Sequence, residues 1–332
     1  MQGVYTALVT PFADDNTLDM EGFKALLKMQ RDAKVAGVIV CGTTGECSTL
    51  MLQEKKNIIV AALTELKNTP LKVIAGTTGN NTAESVELSK WAAAQKVAGI
   101  LAVTPYYNKP SQAGLEKHFL KIADAVDCQT IVYNNPSRTG VAMGLPLMTR
   151  LAEHPRIRTI KDATGNIGFA SEMITELSKS TQKIDILSGD DATFFPFLCV
   201  GGNGIISVAS NLIPHVILAI WNHVESGELQ QARLLHQRYE PLLRHLFIET
   251  NPVPIKAALH STGIIKPHVR LPLTPLEESH AALLRETLAM CMSAPETSPP
   301  PAPTKPPSAP ANPPPASPIR APKPPAPVPV KT

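Results

Sequence analysis

Gly37-Val38-Ile39-Val40-Cys41-Gly42 is a short run of apolar, mostly β-branched residues between two glycines, and Gly99-Ile100-Leu101-Ala102-Val103-Thr104 repeats the pattern further along the chain. Strands that are apolar at every position have both faces covered, which is typical of parallel sheets flanked by helices. The two runs therefore predict buried strands of a parallel sheet.

Such runs recur between Val4 and Gly227, and the segments between them carry apolar residues at three- and four-residue spacing. The predicted strands are 5–11, 37–42, 71–77, 99–104, 130–133, 157–162, 184–189 and 204–209. The predicted helices between them include 20–34, 53–66, 82–95 and 112–125. Eight strand–helix units predict an α/β fold in which the sheet closes into a (β/α)8 TIM barrel.

An open, doubly wound sheet is the competing architecture. However, the glycine cluster Gly201-Gly202-Asn203-Gly204 precedes a strand and does not link a strand to a helix, so it does not fit a dinucleotide-binding turn. Further helices are predicted at 212–223, 228–249, 254–259 and 275–291. We therefore predict a catalytic barrel over residues 1–224 and a small C-terminal helical subdomain over 225–292.

The composition changes abruptly near Ser293, after which most of the 32 prolines of the chain occur. Proline removes main-chain donors, and this segment has scarcely any large apolar residue, so we predict a disordered proline-rich tail over residues 293–332. An inert extension is the favoured interpretation. Spacings such as Pro303 to Pro306 also fit a proline-recognising partner, which stays open.

Composition and charge exclude several classes of protein. Hydrophobic residues make up 43% of the chain and charged residues 18%, which is enough for a large core, and the net charge of +3 gives no indication of nucleic-acid binding. The five cysteines form no C-x-x-C pair, and the nine histidines show no zinc-site spacing, so no metal site is expected. No signal-peptide pattern and no membrane-spanning run is seen, which predicts a cytoplasmic protein.

Polar residues follow the second, fourth and fifth predicted strands. The stretches are Gly42-Thr43-Thr44-Gly45-Glu46, Thr104-Pro105-Tyr106-Tyr107-Asn108 and Tyr133-Asn134-Asn135-Pro136-Ser137-Arg138-Thr139-Gly140. TIM-barrel active sites lie at the carboxyl ends of the strands, where hydroxyls can pass protons and an arginine can grip a carboxylate. Turn closure, packing of the tyrosines and a surface ion pair are structural alternatives that stay open.

Lys161 lies in Ile157-Arg158-Thr159-Ile160-Lys161-Asp162, where alternation places Ile157, Thr159 and Lys161 on one face of the strand. In a barrel this face points inward, and desolvation there disfavours the ammonium form of a lysine. An uncharged amine is a nucleophile that forms imines with carbonyl compounds. By periodicity alone, a lysine that reaches solvent at the strand end is the more common case.

These stretches, together with Ile160-Lys161-Asp162-Ala163-Thr164-Gly165 and Asn251-Pro252-Val253-Pro254-Ile255-Lys256, resemble the dihydrodipicolinate synthase family in order and spacing. The resemblance extends from the first strand to about Leu284 and does not include the tail. It implies a Schiff-base-forming lyase without metal or organic cofactor. The implied reaction condenses pyruvate with L-aspartate-4-semialdehyde to 4-hydroxy-tetrahydrodipicolinate in diaminopimelate and lysine biosynthesis.

The resemblance also implies roles for individual residues. Lys161 is expected to form the imine with pyruvate, Tyr133 to relay protons, Thr44 to orient Tyr133, and Tyr107 to complete the relay from a neighbouring subunit. Thr43 and Thr44 are expected to hold the pyruvate carboxylate, and Arg138 the semialdehyde carboxylate. The remaining expected pocket residues, beneath Lys161, are Gly189 and the main chain around Ile206. A homotetramer built from two tight dimers is implied.

Two alternative functions remain open at this point. The same barrel serves N-acetylneuraminate lyase and keto-deoxy-sugar-acid aldolases, although those branches usually lack the arginine that corresponds to Arg138. A catalytically silent barrel with a partner-binding tail is the other alternative, against which the intact set of Lys161, Tyr133, Tyr107 and Arg138 argues.

Feedback-sensitive members of the family bind lysine in a cleft at the tight dimer interface. The corresponding residues here are Ser48, Leu52, Lys55, Asn80, Glu84 and Tyr106. Leu52 and Lys55 stand where sensitive members often carry histidine or, at the second position, an acid. The ammonium of Lys55 would repel the cationic side chain of lysine, so weak or absent inhibition by lysine is predicted.

Overall fold

The computed structural model describes residues 1–293, and in this part of the chain eight parallel strands form a closed barrel in sequence order. The strands are β1 Gly3–Ala7, β2 Gly37–Val40, β3 Lys72–Gly76, β4 Gly99–Val103, β5 Gln129–Asn134, β6 Ile157–Asp162, β7 Asp185–Ser188 and β8 Gly204–Ser207. β8 pairs with β1 and closes the cylinder. The predicted (β/α)8 TIM barrel is confirmed.

Helices connect successive strands over the outside of the barrel. Up to β8 they are α1 Met20–Ala33, α2 Leu52–Glu65, α3 Thr82–Ala94, α4 Gln112–Asp124, α5 Pro136–Thr139, α6 Leu145–Ala152, α7 Ile167–Leu177 and α8 Phe194–Cys199. Side chains of Asp19, Asn81, Ser111 and Asn166 accept N–H groups in the first turns of α1, α3, α4 and α7, so the local sequence sets where these helices begin.

After β8 come a 3₁₀ turn and four more helices, which are α9 Pro214–Glu225, α10 Leu229–His245, α11 Val253–Ser261 and α12 Glu278–Ser293. α10 packs on α9, and α12 packs on α10 and α11. The boundary between barrel and helical subdomain at residue 224 stays a prediction. The tail predicted for residues 293–332 lies outside the described residues, except for Ser293, which ends α12.

β1 and α10 differ most from their predicted bounds, and α10 ends at His245 where the prediction runs on to Glu249. β1 ends at Ala7, before the predicted end at Pro11, because the N–H of Val9 donates to the side chain of Asn211 and leaves the sheet ladder. The helix predicted from residue 212 begins only at Pro214, after the 3₁₀ turn Ala209–Asn211. The early end of β1 comes from a contact with the segment after β8, which local sequence does not encode. The start of α9 at Pro214 follows the preference of proline for the first helical position.

Apolar side chains fill the barrel interior. This interior cluster comprises Tyr5, Ala7, Ile39, Ile74, Leu101, Ile131, Tyr133, Leu187 and Ile206. Ile157, which was predicted to share the inward face of β6, instead packs in the layer outside the sheet. The prediction for Ile157 was wrong because the register between β5 and β6 shifts after the first pair, so that Ile131 faces Thr159 and Tyr133 faces Lys161.

No helix among residues 1–293 combines the length and the apolar character that a membrane crossing needs.

Candidate active site

Lys161 lies at the carboxyl end of β6 with its side chain inside the barrel. It is paired with Tyr133 on β5 and Leu187 on β7, both of which belong to the interior cluster. Only 6% of the lysine is exposed, and its Nζ lies 4.1 Å from the centroid of the Tyr133 ring. Within residues 1–293 no carboxylate forms an ion pair with this amine.

A second buried lysine, Lys256 on α11, has a different environment. Its Nζ donates to Glu46 Oε1 at 2.5 Å and to the main-chain oxygen of His268 at 2.7 Å. Glu46 therefore balances the charge of Lys256, while the amine of Lys161 has an aromatic face and no counter-ion. Of the two buried lysines, Lys161 is the one with a free amine at the barrel mouth.

Gly189 leaves room for the side chain of Lys161. A Cβ atom at position 189 would lie 2.8 Å from Cε of Lys161 and 2.7 Å from Cβ of Ala163. The N–H of Gly189 donates to the main-chain oxygen of Asp162 at 2.7 Å, so the glycine cannot easily move away from β6. The absence of a side chain at this position is therefore required for the observed lysine conformation.

Replacement of Gly189 by alanine is expected to displace the Lys161 side chain and to lower kcat by roughly 100-fold, since misplacing a reacting group by about 1 Å has that effect. Steady-state kinetics with the purified variant measure this effect. Gly168→Ala is the matched control, because the nearest atom to a new Cβ there is the side-chain oxygen of Asn166 at 3.3 Å. Wild-type kinetics in Gly189→Ala would contradict the prediction.

The Tyr133 hydroxyl and the Thr44 hydroxyl have separate partners. Tyr133 Oη accepts a hydrogen bond from Asn135 Nδ2 at 2.6 Å, and Thr44 Oγ1 accepts one from Asn251 Nδ2 at 3.0 Å. No hydrogen bond joins Tyr133 to Thr44 within the described chain. The predicted role of Thr44 in orienting Tyr133 stays a prediction, and Asn135 is the residue in direct contact with the phenol.

The turn after β2 offers main-chain donors to a ligand. No hydrogen bond within residues 1–293 uses the N–H groups of Thr43 or Thr44. Glu46, at the end of this turn, has a φ of 53° and is held by Lys256 Nζ and by the N–H of Arg270 at 3.0 Å. Successive free N–H groups suit a small carboxylate, as the sequence predicts.

Arg138 lies on α5, at the same end of the barrel. Its Nη2 donates to the main-chain oxygen of Asn251 at 3.0 Å, and no carboxylate among residues 1–293 pairs with it. It lines two neighbouring cavities of about 250 and 490 Å³. Thr43 lines the first cavity and Gly189 the second, so the structure brings these predicted substrate-binding residues together around Arg138.

Ile206 belongs to the interior cluster beneath the mouth and is 1% exposed. It lines neither of the two cavities around Arg138, and its place in the pocket beneath Lys161 stays a prediction.

Asn135 and Asn251 are site residues that the sequence reasoning did not single out. Both are 5% exposed and line both cavities, and Asn251 Oδ1 has no hydrogen-bond partner. They appear in the quoted stretches at 133–140 and 251–256, but only the tertiary structure shows that their amides contact Tyr133 and Thr44.

Tyr107 is 89% exposed and lines neither of the two cavities around Arg138. Its φ of 71° lies in the left-handed region, which is unusual for an aromatic residue. Within one chain the structure does not bring Tyr107 to Tyr133. A role in the same site therefore requires a second subunit.

The predicted regulatory residues line one groove of about 820 Å³ beside the active-site cavities. Ser48, Leu52, Lys55, Asn80, Glu84 and Tyr106 all contribute to it. The groove shares Cys47, Ser48, Thr78 and Tyr106 with the 250 Å³ cavity, so its wall adjoins the candidate active site.

Weak or absent inhibition by lysine is expected, because the Lys55 ammonium has no ion-pair partner within residues 1–293 and faces the groove. Titration of the enzyme with L-lysine measures this, and Lys55→Glu is expected to increase sensitivity, since it replaces repulsion by attraction. Half-inhibition of the wild type at sub-millimolar lysine would refute the prediction.

Glu249, Glu277 and His280 are the potential metal ligands that come together in the described residues, with ligand atoms within 4.8 Å of one another. A hydrogen bond of 2.7 Å between His280 Nδ1 and Glu249 already accounts for the contact. The expectation of a metal-independent site stays a prediction.

The chain is similar to several known proteins. The model of the Dihydrodipicolinate synthetase family matches residues 1–290. A 4-hydroxy-tetrahydrodipicolinate synthase from Methanococcoides burtonii is 43% identical over 287 residues, which cover 86% of this chain and 97% of the relative. The dihydrodipicolinate synthase structure from Thermotoga maritima has a TM-score of 0.85 at 37% identity and covers 88% of this chain and 98% of its own.

A third similar protein is the chloride-inhibited dihydrodipicolinate synthase from Acinetobacter baumannii, whose structure contains pyruvate. It has a TM-score of 0.84 at 38% identity and covers 87% of this chain and 98% of its own. The similarity thus extends over the barrel and the C-terminal helices.

Proposed function

The chain belongs to the dihydrodipicolinate synthetase family, and from this premise we propose that it condenses pyruvate with L-aspartate-4-semialdehyde to 4-hydroxy-tetrahydrodipicolinate. The reaction is that of a Schiff-base-forming lyase in diaminopimelate and lysine biosynthesis. The observation that carries the proposal is the buried amine of Lys161, which has no counter-ion and lies against Tyr133 at the barrel mouth. Catalytic roles follow from this arrangement.

The first step joins pyruvate to Lys161. Nζ attacks the keto carbon, and loss of water from the carbinolamine gives a protonated imine. The pyruvate carboxylate accepts hydrogen bonds from the free N–H groups of Thr43 and Thr44. We assign the proton transfers of this step to the hydroxyl of Tyr133, whose ring lies against the lysine.

The carbon–carbon bond forms in the second step. The Tyr133 relay accepts a methyl proton from the imine, which becomes an enamine. The enamine carbon attacks the aldehyde carbon of the semialdehyde, and Tyr133 delivers the proton to the aldehyde oxygen. The amine of the semialdehyde portion then attacks the imine carbon. It displaces Nζ of Lys161, closes the ring and releases the enzyme.

Arg138 binds the carboxylate of the semialdehyde. Its guanidinium is free of protein carboxylates within residues 1–293 and lines both cavities of the site. A planar donor fork holds a carboxylate through two hydrogen bonds, so Arg138 selects an aldehyde that carries one. Polyhydroxylated sugar aldehydes lack a carboxylate for it.

Tyr107 enters the site of a neighbouring subunit and extends its proton relay. The support for this is its 89% exposure at the mouth of its own barrel. The active unit is therefore at least a dimer, and a homotetramer of two tight dimers is the proposed assembly. The cytoplasmic location likewise stays a prediction.

The decisive experiment incubates the purified protein with pyruvate and each of a panel of aldehydes. L-aspartate-4-semialdehyde should be consumed with pyruvate to give the cyclic product, while N-acetylmannosamine and sugar aldehydes should not react. Condensation with a sugar aldehyde in preference to the semialdehyde would favour the aldolase alternative and refute the proposal.

A further inference from the structure

Asn135 directly precedes the first turn of α5, but its side chain does not cap that helix. Asparagine at this position usually accepts an N–H group from the first turn. Here Nδ2 donates to Tyr133 Oη at 2.6 Å, and Oδ1 accepts from Ser137 Oγ at 2.9 Å. Both polar atoms of the buried amide are thus hydrogen-bonded, Nδ2 to the phenol and Oδ1 to Ser137.

The hydrogen bond from Asn135 determines what the phenol can do. Because Tyr133 Oη accepts the amide N–H, its own proton is free to be donated elsewhere. Asn135 lines both active-site cavities, so this contact lies beside the space that the substrates would occupy. Ser137 holds the amide in the orientation that keeps Nδ2 toward the phenol.

Asn135 also connects the phenol to the helix that carries Arg138. Its main-chain oxygen accepts the N–H groups of Arg138 at 3.2 Å and Thr139 at 3.0 Å. The hydroxyl of Thr139 donates to the same oxygen at 2.9 Å. A single residue therefore links the proposed proton relay to the proposed carboxylate-binding arginine.

We propose that Asn135 is a positioning residue that holds Tyr133 as a proton donor toward the substrate; this inference rests on the function proposed above. Asn135 acts through the phenol and does not itself exchange protons. Thr44, whose hydroxyl is bonded to Asn251, does not supply this contact in the single chain.

Two variants of similar shape test the proposal. Asn135→Leu removes the donor and is expected to lower kcat by about 10- to 100-fold while KM for pyruvate changes little. This is less than the roughly 100- to 10,000-fold contributed by a group that itself transfers the proton, because Asn135 acts only through the phenol. Asn135→Asp replaces the donor by a carboxylate, which would accept the phenol proton and withdraw it from the substrate. We expect a larger loss near neutral pH, partly recovered as the pH falls and the carboxyl regains a proton to donate.

The recovery at lower pH is the readout that a purely structural role would not produce. Ser137→Ala serves as the graded variant, because it loosens Asn135 without removing the donor, and its loss should be smaller than that of Asn135→Leu. Full wild-type kcat in Asn135→Leu overturns the proposal, and so do equal, pH-independent losses in Asn135→Leu and Asn135→Asp. The wild type is assayed in parallel for condensation of pyruvate with L-aspartate-4-semialdehyde. An inactive wild type would refute the proposed function, whereas an active wild type with an unaffected Asn135→Leu variant would refute only the role of Asn135.

Discussion

Replacement of Lys161 by alanine is expected to lower kcat for condensation by at least about 1000-fold, because the covalent route through an imine is lost altogether. The fold should survive. The alanine removes an amine that forms no ion pair within residues 1–293, so no buried carboxylate is left uncompensated. Steady-state kinetics and thermal unfolding of the same preparation separate loss of chemistry from loss of structure.

Borohydride reduction in the presence of pyruvate gives an independent measurement. The wild type should carry the reduced adduct on the peptide that contains Lys161, and Lys161→Ala should carry none. Lys72→Ala is the matched control, since Lys72 is also a strand lysine but is exposed and begins β3. An adduct on a different lysine, or full turnover by Lys161→Ala, would remove the basis of the proposed mechanism.

The barrel itself was predictable because it repeats. Apolar runs such as 37–42 recur with helical segments between them, and eight such repeats favour the closed sheet that the structure has. Local patterns do not predict the places where the register or the end of a strand depends on contacts with another part of the chain. Ile157 lies outside the sheet because of a register shift against β5, and β1 ends early because Asn211 takes the N–H of Val9.

The sequence predicts that the polar residues of the site lie at the strand ends, but it does not predict which residues they contact. Alternation along β6 puts Lys161 inside, and barrel topology places the residues after β2, β5 and β6 at one mouth. Their partners come from distant sequence. Thr44 and Asn251 are 207 positions apart, and no periodicity or spacing indicates their hydrogen bond.

Replacement of Lys256 by methionine is expected to lower the free energy of unfolding by about 3–5 kcal/mol, the cost of leaving one member of a buried ion pair alone. Lys256 is fully buried, and its Nζ lies 2.5 Å from Glu46 Oε1 and 4.2 Å from the centroid of the Phe12 ring. Burial lowers the pKa of the Lys256 ammonium to about 8, even though Glu46 opposes that shift. Removing this pair from water therefore has a large free-energy cost. In the variant, Glu46 would stay buried without the cation that now offsets that cost.

Urea denaturation of the variant measures the loss. The double variant Glu46→Gln/Lys256→Met should recover part of the stability, because it removes both charges. A loss in the double variant that is smaller than the sum of the losses in Glu46→Gln and Lys256→Met identifies the pair as the cause. Lys24→Met, which breaks the exposed pair of Lys24 with Glu21, should leave stability unchanged. Since Glu46 ends the turn that carries Thr43 and Thr44, Lys256→Met should also weaken pyruvate binding. Wild-type stability in the single variant would contradict the expectation that Glu46 needs Lys256 as its counter-ion.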